Sequence, residues 1–141
     1  MECAFLWQDR ARQLIDFSTL SWGNIHPTDI DAVMEFDGQK LILMEYKSNG
    51  KQSDKGQQLV LQRIADSWCK SSPFADAIVL YANHNSKASE VVDGGEATVT
   101  QMYWKGRLLD YKEGNHTVRE MVLRFAHSEI ERKTGCSQLK P

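Results

Sequence analysis

The chain has 141 residues, with 17 Lys and Arg against 19 Asp and Glu and a formal net charge of −2. That length suits a single domain over residues 1–141 whose core needs neither disulfide nor metal staple, and the charge argues against a simple nucleic-acid-binding module, which is basic overall. Cys3, Cys69 and Cys136 are odd in number and far apart, which fits neither a disulfide framework nor a zinc site and points to reduced thiols in a cytoplasmic protein.

The first residues carry no secretory pattern, and no apolar run is long enough for a bilayer, so no membrane is expected among the partners. Ala4, Trp7, Ala11, Leu14 and Ile15 recur at helical spacing, and the turn-prone Trp22-Gly23-Asn24 follows them. Past Pro27-Thr28-Asp29, residues 30–36 alternate. Ile30, Ala32, Met34 and Phe36 take one face of a strand, and Asp31, Val33 and Glu35 take the other. Asp37-Gly38 is a strong hairpin signal. A loop of odd length, such as Phe36-Asp37-Gly38 with Gly38 left-handed, puts Asp29 and Asp31 on the face of Glu45 and Lys47; an even loop puts them on opposite faces.

The apolar run Leu41-Ile42-Leu43-Met44 leads into Glu45-Tyr46-Lys47. Alternation holds Glu45 and Lys47 side by side on one face, with Ile42, Met44 and Tyr46 on the other. An acid and an amine together at a strand end suit phosphodiester hydrolysis: paired carboxylates hold a hard divalent cation, and an ammonium stabilises developing charge or orients water. Glu-x-Lys alone is a common pattern of solvated strands, so its surroundings decide. Upstream lie Asp29 and Asp31. Downstream, after the polar stretch 48–55, Gln57, Val60, Leu61, Ile64, Ala65 and Trp68 form a helical stripe that opens on a glutamine able to reach back to the strand ends.

Across residues 29–65, about a quarter of the chain, this arrangement resembles the PD-(D/E)xK nuclease superfamily, the fold of restriction endonucleases and archaeal Holliday junction resolvases. The resemblance implies Asp31 as the acid of the first strand, with Asp29 its rival, Glu45 and Lys47 as the acid-x-lysine pair, and Gln57 as the helical glutamine. It further implies Mg²⁺ or Mn²⁺ held by Asp31, Glu45 and the Tyr46 carbonyl. Many members add a glutamate from the first helix; Glu2, Asp9 and Asp16 stand at no matching place, so that role is unassigned. Basic residues from 47 to 70 are Lys47, Lys51, Lys55, Arg63 and Lys70 against Asp54 and Asp66. Lys51 and Lys55 are placed in the loop beside the site, where a phosphate backbone would run.

Further along, Ala77-Ile78-Val79-Leu80 within residues 75–81 reads as a buried central strand, and the polar residues 83–95 as a loop. Residues 97–104 and 108–111 flank Lys105-Gly106 as a second hairpin. Thr117 and Glu120 have capping-box spacing, and Val118, Met121, Val122 and Phe125 form the stripe of a last helix that Gly135 would stop. The order α-β-β-α-β-β-β-α describes an α/β fold, a mixed sheet flanked by helices, which the resembled superfamily shares in its restriction-endonuclease-like form. His26 beside Pro27 is more often structural than catalytic, and His84, His116 and His127 lack metal-ligand spacing. Among the tryptophans, which can stack on bases, Trp7 and Trp68 sit on apolar stripes and Trp22 and Trp104 do not.

The expected activity is metal-dependent hydrolysis of DNA phosphodiesters, on branched or otherwise structured DNA in some relatives of this kind, with a homodimer pairing two sites to cut both strands. The alternative is a non-catalytic nuclease-fold protein that binds nucleic acid or a protein partner, such as an interaction or anti-defence factor of a phage or prophage.

Overall fold

The computed structural model describes residues 14–48, 54–111 and 116–128. Strand β1 (Ala32–Phe36) and strand β2 (Lys40–Ser48) pair antiparallel in the register Phe36↔Lys40 to Ala32↔Met44. The three residues between them include Asp37 at φ 52° and Gly38 at φ 76°, and the Gln39 amide closes the turn on the Phe36 carbonyl at 2.9 Å. The loop is therefore odd, as the shared-face arrangement requires, although it runs from Asp37 to Gln39 and not from Phe36 to Gly38. Strand β1 also begins later than expected, at Ala32, which leaves Asp29, Ile30 and Asp31 just ahead of the sheet.

Helix α1 (Lys55–Lys70) then carries the chain over one face of the sheet to β3 (Asp76–His84), which lies parallel to β2. Strand β4 (Thr98–Trp104) and strand β5 (Arg107–Asp110) complete the sheet as a second hairpin about Lys105 and Gly106, both left-handed. The strand order is β1-β2-β3-β4-β5, mixed because only β2 and β3 are parallel. Helix α2 (Val118–His127) covers the other face, its first turn capped by the Thr117 side chain accepting from the Glu120 amide at 3.2 Å.

Alternation sorts the apolar residues into two cores. Leu41, Leu43, Ala77, Val79 and Tyr81 meet Leu61 and Ala65 of α1, while Ile42, Met44, Ile78 and Leu80 meet Val118, Met121 and Phe125 of α2. Val99 and Ala97 extend the second core. Helix α1 is pinned to the β1–β2 turn by the Trp68 indole, which donates to the Gln39 carbonyl at 3.0 Å.

Several expectations need correcting. The central strand runs on through Asn83 and His84, which the polar composition of 83–95 had assigned to a loop; pairing with both β2 and β4 holds Asn83 in the sheet, and β2 alone reaches His84. The inward stripe of α1 centres on Leu61 and Ala65, while Ile64 is exposed, because a helix lying on a sheet buries a narrower arc than the five apolar positions span. Leu14 and Ile15 are non-helical and exposed; the rest of that proposed stripe, Ala4, Trp7 and Ala11, lies outside the described residues. Helix α2 ends at His127, where Ser128 turns extended and its hydroxyl donates to the Phe125 carbonyl at 2.7 Å, eight residues before Gly135, which itself lies outside the described residues.

Candidate functional site

Strand β2 is four residues longer than β1, and the surplus, Glu45 to Ser48, projects beyond the last β1 pair. Continued one residue past its last pair, Ala32↔Met44, the hairpin register brings Asp31 to Glu45. The Asp31 carboxylate accepts from the Tyr46 amide at 2.7 Å and lies near enough for its charge to act on the Glu45 carboxyl. In an extended strand the amide and carbonyl of one residue point to the same side, so the Tyr46 carbonyl also faces the Asp31 edge.

Glu45 is only 2% exposed, the most deeply placed acid among the described residues. Its Oε1 pairs with the Lys47 ammonium at 2.9 Å, and its Oε2 is buried without a hydrogen-bond partner. Burial above all, and then the charge of Asp31, push the Glu45 carboxyl above its ordinary range, although the hydrogen bond and charge of Lys47 pull the other way. A buried carboxylate oxygen with no partner is costly. Either a proton held on Glu45 or a cation beside it meets that cost.

Gln57 sits in the first turn of α1 and its side-chain amide donates to the Asp29 carbonyl at 3.1 Å, so the helix entrance is tied to the approach to β1. Asp29, the rival first acid, contributes this backbone carbonyl, whereas Asp31 supplies the carboxylate that meets Glu45. Lys55 is not in a loop: it opens α1, exposed, one residue after the N-cap Asp54. Lys51 lies outside the described residues. His26 is exposed.

The sequence reading missed Tyr81. On β3 it is the register partner of Glu45, 3% exposed, with its hydroxyl accepting from Gln62 of α1 at 3.4 Å. Burial raises the Tyr81 phenol, and the nearby Glu45 charge adds to that. Asn83 stands beside Lys47 in the same register. The signal was the odd-numbered face of β3, but using it requires the parallel β2–β3 register, which no local pattern supplies.

Among the described residues no group of three or more His, Cys, Asp or Glu side chains is placed to hold a metal. Two carboxylates and a carbonyl suit Mg²⁺, which keeps several waters and takes one or two protein carboxylates, better than a closed cage. The unpartnered Glu45 Oε2 beside Asp31 is the feature that fits such an ion. No helix among the described residues is long and apolar enough to cross a membrane. Comparison with family models, curated proteins and solved structures found no match to the chain.

Proposed function

We propose that the chain is a restriction-endonuclease-like, metal-dependent phosphodiesterase acting on DNA. The observation that carries this reading is Glu45, buried, bound through one oxygen to Lys47 and left with the other unpartnered beside Asp31. Asp31, Glu45 and the Tyr46 carbonyl would hold Mg²⁺ or Mn²⁺, which when bound polarises a phosphoryl oxygen and makes water a better nucleophile. Lys47 lies on the same strand face, where its ammonium stabilises charge developing on the phosphoryl group and orients the attacking water. Gln57, fixed by the Asp29 carbonyl, orients water or a phosphate oxygen at the helix entrance. Lys51 and Lys55 would contact the flanking phosphates, and a homodimer would place two such sites on the two strands of a duplex.

The decisive assay is cleavage of labelled linear, circular, single-stranded and four-way-junction DNA, with an RNA control, in Mg²⁺, Mn²⁺ or chelator. Cleavage that needs the cation and is lost in Glu45→Ala supports the proposal. A folded protein inert on every DNA substrate with both cations would return the chain to the non-catalytic alternative, a nuclease-fold binding protein.

A further inference from the structure

At the opposite end of the sheet from Glu45, where β3 begins, a cavity of about 240 Å³ opens between α2 and strands β3 and β4. Its walls include Met102, Trp104, Tyr111, Met121 and Phe125, and Asp76 is part of its lining. Asp76 is 5% exposed, a buried carboxylate. Its Oδ1 accepts from the Trp104 indole at 2.9 Å and from the Ala77 amide at 2.9 Å, with the Cys69 thiol at 3.8 Å. All three contacts fall on that one oxygen, and among the described residues no cation is ion-paired with Asp76. A buried charge is ordinarily matched by a counter-charge at contact distance.

Two cations stand close by and neither fills that place. Lys40 is the cross-strand neighbour of Asp76, but its ammonium donates to the carbonyls of Phe125, Ala126 and Ser128, where it closes the C-terminal end of α2. Arg124 is exposed and lines the cavity from the last turn of α2.

We propose that this cavity binds a small aromatic amine. The ammonium donates to the free side of the Asp76 carboxylate and the ring lies among Trp104, Tyr111 and Phe125. The carboxylate supplies the charge complement, and aromatic faces attract a cation directly. The volume, below the roughly 300–1,000 Å³ of a site for drug-sized molecules, limits the ligand to about one ring and a short side chain. This site shares no residue with the Glu45 cluster and stands whether or not the chain cleaves DNA.

The test follows the Trp104 indole N–H resonance of the full chain, which reports on Asp76 through their hydrogen bond, during titration with phenethylamine and with its neutral counterpart phenethyl alcohol. A saturable shift with the amine, at least about tenfold weaker with the alcohol and in Asp76→Asn, is the expected result. Equal binding of amine and alcohol, equal binding by wild type and Asp76→Asn, or no saturable shift at millimolar amine overturns the proposal. Should Asp76→Asn fail to fold, Tyr111→Leu replaces it: amine binding several-fold weaker supports the site, and unchanged binding refutes it.

Discussion

Glu45 concentrates the chemistry of the candidate site in one side chain. Its carboxyl is raised above the ordinary value of 4.5, so the folded protein holds that proton at pH values where the unfolded chain has released it. The stability this contributes is complete below 4.5 and is lost as pH rises through the folded value. Without metal, the difference in melting temperature between wild type and Glu45→Gln should therefore shift against wild type as pH is raised from 4 towards 7, read by thermal melts across that range. The proposed cation site requires ionised Glu45, so divalent affinity should strengthen over the same rise and be abolished in Glu45→Ala, measured by calorimetric titration. Lys47→Ala separates catalysis from binding. It removes no metal ligand, and cleavage should fall by about two to three orders of magnitude while metal binding and DNA affinity change little. Equal cleavage by that variant in single-turnover kinetics would remove Lys47 from the mechanism.

The β1–β2 hairpin decides which acids meet. Gly38 at φ 76° sits where an L side chain is strained and nothing would touch its Cβ, so Gly38→Ala should cost about 1–2 kcal/mol from backbone alone, measured by urea unfolding. Metal affinity should be kept wherever the variant is folded, because the register is unchanged. Much of this element was legible in advance: Asp37-Gly38 announced the turn, alternation put Glu45 and Lys47 on one face, and whether Asp31 joined them was left to the parity of the loop, which is odd. What alternation does not encode is depth. It gives the same answer for Glu45, which is buried, and for Glu35, which is exposed and whose carboxylate instead accepts from the Gly38 amide. Helical spacing likewise named the α1 stripe without distinguishing Leu61, wholly buried, from Ile64, exposed, since that depends on how the helix lies on the sheet. Asp76 gave no signal at all. A single acid before an apolar strand looks like an ordinary strand start until Trp104, 28 residues later, folds over it.

At the scale of the molecule, the sheet separates two cores, and β3 contributes to both through Val79 on one face and Ile78 and Leu80 on the other. Leu61→Ala should cost about 2–5 kcal/mol, because Leu61 is fully buried and its removal leaves a cavity against the sheet. Loss of α1 packing would also loosen Gln57 and Tyr81, so the same variant should weaken metal binding in chemical denaturation and titration run side by side. The overhang of β2 past β1 has a consequence for self-association. Beyond Ala32 no strand among the described residues pairs with this flank of β2, and the Asp31 carboxylate occupies the Tyr46 amide that an incoming strand would use. Asp31→Ala bares that amide and removes a repelling charge, so it should form strand-paired oligomers by light scattering, whereas Asp31→Asn keeps an acceptor there and should stay closer to wild type. On this reading the acid proposed as a cation ligand would also keep the sheet from recruiting its neighbours.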